Sequence, residues 1–155
     1  QFILPVASTL DEENIKQQIS QYDIEVKLVK SQSHEVIQCC DTILTVSGTV
    51  TLEIALFGTP QVVINKVAWL TYHIVKPMLK IPHIALCNIV AGKQVVPELI
   101  QNDATPVKII HELERYLDEP AYAANTKKEL LGIRDKLGSG GGIGRIADLI
   151  LKMLN

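Results

Sequence analysis

Short strands that are apolar on both faces, each separated from the next by a helical stretch, constrain this chain more than any other feature. Gln61-Val62-Val63-Ile64 carries Val and Ile toward both sides of a pleated ribbon. Such a strand is at home only where both sides are covered. Phe2 to Val6, Ile24 to Val29 and Thr42 to Val46 read as further strands. Helices are expected between them: from Thr9 to Ser20, opened by the capping-box spacing of Thr9 and Glu12; from Ser31 or Ser33 to about Cys40; and from Thr49 to Phe57, stopped by Gly58-Thr59-Pro60. The pattern predicts an α/β fold, a doubly wound parallel sheet between two helical layers.

The rest of the chain reads as more helical. A helix is expected over 68–79, a brief strand over Ile84 to Leu86, and a helix after Gly92 carrying Val96, Leu99 and Ile100. Thr105 and Pro106 open another helix that ends before Pro120, and Ala121 to Leu137 forms the next. Ser139-Gly140-Gly141-Gly142 reads as a linker, with no strand leading into it, before a last helix carrying Ile146, Ile150 and Leu151. The division expected is an α/β domain over 1–120 and C-terminal helices over 121–155. The last helix packs locally or crosses to a partner domain or subunit, and the sequence leaves both open. The chain opens directly on a buried strand, with no Met or leader, which reads as a trimmed start.

Composition excludes several classes. With 15 basic and 17 acidic side chains the formal charge is −2, without the basic stripe of a nucleic-acid binder. No apolar run approaches the ~20 residues that span a bilayer, and cytoplasmic is the default compartment. Cys39, Cys40 and Cys87 have no repeated ligand spacing and read as ordinary core or subsurface thiols. The four histidines share no motif, so no metal site is expected.

The informative turn is Val46-Ser47-Gly48-Thr49-Val50, where a buried strand passes at once into a helix. In an open parallel sheet this is the carboxyl edge, where ligands bind. Gly48 leaves room for close approach, free amides at the helix start suit a diphosphate, and Ser47 and Thr49 add hydroxyls. Glu53, one turn into the helix, suits the two neighbouring hydroxyls of a ribose. The same residues also serve a plain cap with a solvated first-turn charge. A second cluster, Asn88 with Ala91-Gly92 and then Glu98 and Gln101 three apart on an expected helix face, offers further polar groups or merely a polar turn. Trp69, Tyr72 and Lys76 share a face of the 68–79 helix, fit for a membrane headgroup layer, a cleft between domains or simple packing.

These pieces together resemble the lipid-A-disaccharide synthase family of GT-B glycosyltransferases. The residues that carry the likeness are Phe2 to Val6, Ser47-Gly48-Thr49 with Leu52-Glu53, Pro60 with Val62-Val63, the stretch from Trp69 to Lys80, Asn88 with Ala91-Gly92, and Glu98 to Gln101. The chain departs from the family pattern at Cys87, where the family usually has proline, and at Asn65, where it usually has tyrosine. The resemblance implies an incomplete Rossmann-like C-terminal half that binds the donor. Its first strand and the whole amino-terminal domain, which supplies the general base, would lie outside the chain. It implies an inverting transfer of 2,3-diacylglucosamine from its UDP donor to the lipid acceptor 2,3-diacylglucosamine 1-phosphate, giving a β-1,6 disaccharide with no cofactor or metal. Ser47, Gly48 and Thr49 would contact phosphate, Glu53 the ribose, Lys66 would supply countercharge, and Asn88, Glu98 and Gln101 would face the donor phosphate-sugar region. A peripheral place at the inner face of the inner membrane, a homodimer, and an inactive isolated chain follow as expectations. A UDP-N-acetylglucosamine transferase or epimerase of the same fold, and a noncatalytic α/β binding or assembly domain, are the alternatives.

Overall fold

The computed structural model describes residues 1–67, 82–138 and 141–154. The helix expected over 68–79, with Trp69, Tyr72 and Lys76, lies outside the described residues. The chain runs β1 (Phe2–Val6), α1 (Glu12–Ile19), β2 (Val26–Lys30), α2 (Ser33–Cys39), β3 (Ile43–Val46), α3 (Val50–Phe57) and β4 (Gln61–Asn65). It continues with α4 (Leu86–Ala91), β5 (Glu98–Ile100), a 3-10 turn at Gln101–Asp103, α5 (Pro106–Asp118), α6 (Pro120–Leu131), α7 (Ile133–Leu137) and α8 (Gly142–Leu154).

All strand pairs are parallel, as the α/β pattern requires. β3, β4 and β5 form one sheet in that order, and β1 and β2 form a separate pair. β4 is central, and its β-branched run puts successive side chains on opposite faces. Val63 turns toward Ala55 of α3, Cys87 and Ala91 of α4, Leu130 of α6 and Ile133 of α7. Val62 turns the other way, with Leu99, onto Tyr116 of α5 and its neighbours Ile109 and Leu113. Both faces are therefore covered, which is why the sequence alternates so little along β4. Helix α6 serves both layers: Leu130 enters the first core while Tyr122 and Ala123 line the second.

Several local expectations change. Asp11, not Thr9, caps α1 by accepting from the Glu13 amide at 3.0 Å, and Glu12 instead pairs with Lys30 and Lys16. Neither Ser31 nor Ser33 caps α2; its cap position is Gln32, which makes no side-chain cap bond. The strand expected over Ile84 to Leu86 is absent, and Leu86 starts α4. The helix expected to carry Val96, Leu99 and Ile100 is replaced by a loop at Val96 and by strand β5, whose Glu98, Leu99 and Ile100 pair with β4. Glu98 and Gln101 therefore do not share a helix face. The single helix from Ala121 to Leu137 is divided at Gly132 into α6 and α7. Thr105 does cap α5, with Pro106 in the first turn.

Candidate functional site

The register fixes one edge. Val46 pairs with Ile64, Ile64 with Leu99, and Asn65 with Ile100. Ser47, Lys66 and Gln101 thus each leave the sheet at its carboxyl margin.

The 47–49 turn is held firmly. The Ser47 amide donates to the Ile64 carbonyl at 3.2 Å, extending the β3–β4 ladder by one bond. The Ser47 hydroxyl donates to the Ile84 carbonyl at 2.8 Å. Thr51, which is fully buried, donates its hydroxyl to the Gly48 carbonyl at 2.8 Å and accepts the Leu86 amide at 3.2 Å. Its own carbonyl takes the Gln61 side-chain amide at 2.8 Å. Thr51 and Gln61 are thus structural residues of the site that the sequence reading passed over; the only signal was a polar side chain on an otherwise apolar α3. Among the described residues, the Gly48, Thr49 and Val50 amides have no acceptor. Three consecutive free N–H groups at a helix start attract an anion, reinforced by the helix dipole. A Cβ on Gly48 would meet nothing within 4 Å among the described residues. Thr49 and Glu53 are exposed at this edge, and Lys66 is exposed where β4 ends. Two concavities among the described residues lie away from the turn, one around Lys93 and Lys136, the other before β5 around Pro97 and Arg115.

The second cluster is built differently from the first. Asn88 is fully buried on α4. Its amide donates to the Val96 carbonyl at 2.9 Å and to Glu98 Oε1 at 2.7 Å, and its oxygen accepts the Val95 and Val96 amides at 2.8 and 3.1 Å. Glu98 also accepts the Ile84 and Ala85 amides at 2.9 and 3.2 Å. Both amides belong to the chain just before α4, whose N-cap residue Ala85 makes no side-chain cap bond. His83 Nδ1 stands 3.7 Å from the same carboxylate. Gln101 accepts the Val67 amide at 2.8 Å and donates to the Val67 carbonyl at 3.0 Å. All three side chains read as donor contacts are thus engaged with protein partners. Cys87, beside Asn88, is fully buried, and burial pushes its thiol up to about 11, so it stays protonated near neutrality.

The arrangement has two connected parts. Ser47, Gly48 and Thr49 join the Glu98–Asn88 group through Ile84, and Lys66 joins Gln101 through Val67. Glu53 stands alone one turn along α3.

The parallel strands flanked by helices form an α/β arrangement of the Rossmann-like, GT-B type, and comparison with known proteins gives the family. The chain belongs to the lipid-A-disaccharide synthetase family, whose model matches residues 1–140. Over 154 residues, 99% of the chain, it is 49% identical to the lipid-A-disaccharide synthase of Geobacter sulfurreducens. It is 49% identical to that of Geobacter metallireducens and 42% identical to that of Trichlorobacter lovleyi over the same length. Each alignment covers 40% of the relative, so the chain spans about two-fifths of the curated relatives it matches. Among the described residues no helix is long and apolar enough to cross a membrane.

Proposed function

We propose that this chain is the C-terminal, donor-binding part of an inverting glycosyltransferase. In this reading the whole protein moves 2,3-diacylglucosamine from its UDP donor to 2,3-diacylglucosamine 1-phosphate, with the acceptor 6-hydroxyl displacing UDP to form a β-1,6 bond. The observation that carries it is the row of three amides at Gly48, Thr49 and Val50 that have no acceptor among the described residues, at the carboxyl edge of a parallel sheet. Those amides and the Thr49 hydroxyl bind the diphosphate and stabilise the charge that grows on it as it leaves. Lys66 adds countercharge, and Glu53 accepts bonds from the two ribose hydroxyls. Asn88, Glu98 and Gln101 support the phosphate-sugar region. The general base and the acceptor site belong to an amino-terminal domain outside this chain, so the chain alone is inactive.

The divided sheet supports the same reading. β1 and β3 each have one unpaired margin among the described residues, and each exposes large apolar side chains: Phe2 and Leu4 on β1, Leu44 and Val46 on β3. One more parallel strand paired with both margins would join the two sheets, and we assign it to a part of the whole protein outside these residues. Helix α8 exposes Ile146, Leu149, Ile150 and Met153, in keeping with a last helix that packs on another domain or subunit. The enzyme would work in the cytoplasm at the inner face of the inner membrane, where its acylated substrates reside.

The test uses the full-length protein and calorimetric titration with UDP and 2′-deoxy-UDP. Glu53→Ala should weaken UDP about tenfold, the worth of one charged hydrogen-bond pair, and should abolish the preference for UDP over 2′-deoxy-UDP. An unchanged preference would remove Glu53 from the ribose, and no UDP binding by the unaltered protein would defeat the whole reading.

A further inference from the structure

Two residues of one short strand end hold the two ends of a single stretch of chain. Gln101 spends both atoms of its side-chain amide on the main chain of Val67, as a neighbouring strand would. Glu98 spends its carboxylate on the Ile84 and Ala85 amides and on Asn88, and its side chain is only 6% exposed. Glu98 lies on β5 and Gln101 opens the 3-10 turn directly after it, so both grips come from one short stretch of chain.

We propose that Glu98 and Gln101 are positioning residues that clasp the entry and exit of the 67–85 stretch to the carboxyl edge, acting on the donor site through the backbone and not by touching the donor. Their backbone and bonding fit this role better than a ligand contact. Gln101 has φ of +52°, in the left-handed region that a residue with a Cβ adopts only against steric strain. Gly or Asn would sit there with less strain, but neither reaches both polar groups of Val67. The strained conformation aims a side chain of the required length at that peptide. The Glu98 carboxylate already has three donors, which leaves it little capacity for a sugar hydroxyl.

The consequence reaches both halves of the site. Gln101 fixes the residue that follows Lys66, and so fixes where Lys66 leaves β4. Glu98 fixes Ile84, whose carbonyl receives the Ser47 hydroxyl, and so fixes the phosphate turn. One strand end thereby sets the spacing between the amide row and its countercharge. This step rests on the UDP reading above, though the clasp itself can be tested without it.

The experiment is amide hydrogen exchange on the full-length protein, read beside steady-state kinetics. Gln101→Gly relaxes the left-handed strain, so the fold is retained while the clasp is lost. Exchange at the Val67 amide should rise about tenfold, with Ile84 and Ala85 unchanged. Glu98→Gln keeps the size of the side chain and one acceptor oxygen, so it should speed Ile84, whose acceptor Oε2 is replaced by a donor, while sparing Val67. In both variants kcat/KM should fall about tenfold, as expected when charged groups shift slightly from their partners. Unchanged exchange in both variants, lost UDP affinity with unchanged exchange, or faster exchange with unaltered kcat/KM would each overturn the proposal. Failure of the UDP reading shows separately, as an unaltered protein that does not bind UDP.

Discussion

The β3–β4–β5 sheet and the β1–β2 pair are spelled in similar residues and wrapped very differently. Val62 and Val63 on β4 are fully buried on opposite faces, each in its own cluster. On β1 and β2 only Val6 is buried, Phe2 is 63% exposed, and α1 buries nothing. The link between the two regions is α2, where Val36 and Ile37 are buried and the Thr59 hydroxyl donates to the Ile37 carbonyl at 2.9 Å. Strand-helix alternation therefore specifies the elements, whereas burial depends on how many neighbours each strand acquires. β4 has a strand on each side and a helix layer on each face, whereas β1 and β3 are edge strands among the described residues.

Four measurements would break or sharpen this contrast. Two thiols report on it directly. Cys39 is exposed on α2 and Cys87 is enclosed beneath β4. With an aromatic disulfide reagent in native buffer, Cys39 should react freely and Cys87 about 1,000-fold more slowly, the two converging only in denaturant. Similar native rates would mean that the sandwich opens as readily as the exposed region.

Next in size is truncation. Leu130→Ala should lower unfolding stability by about 3–4 kcal/mol, since its side chain lies in a closed cluster. Phe2→Ala should change it by less than about 0.5 kcal/mol. Urea melts compare them, and equal losses would erase the distinction between the regions. Gly58→Ala should cost about 1–3 kcal/mol in the same assay. Gly58 ends α3 at φ +74°, and a Cβ there would stand 2.9 Å from the Leu131 side chain. Adding Leu131→Ala should recover the contact share of that loss and leave the backbone share.

The smallest effect belongs to the exposed region. Hydrogen bonds from Lys30 and then Lys16 hold the Glu12 carboxyl below the usual carboxylate range. Its folded value lies below its unfolded value, so the contribution is present above the ordinary carboxylate range and fades as pH falls through the folded value. Lys30→Met should return the Glu12 titration, followed by NMR, toward the ordinary value. An unmoved titration would show that this pair does not tie α1 to β2.

What the sequence revealed follows the same division. β3, α3 and β4 were legible because a doubly apolar run bounded by Gly and Pro admits few other states. The 84–100 stretch was misread for the opposite reason. Ile84-Ala85-Leu86 is too short to separate strand from helix, and Val96, Leu99 and Ile100 happen to have helical spacing. A free β4 edge decided the matter, and that edge is a tertiary fact. At the site, the turn and its free amides could be read from Ser47-Gly48-Thr49. The partners of Asn88 could not: Val95, Val96 and Glu98 reach it only after the loop beyond Gly92 folds back.

Bare strand margins also have a practical consequence. Strand margins that have no neighbour among the described residues, beside Phe2, Leu4, Leu44 and Val46, are adhesive toward any extended peptide, including another molecule of the same kind. Overproduced by itself, this polypeptide should cluster through those margins and accumulate as insoluble material. A covering ribbon supplied on a separate peptide should restore it to solution.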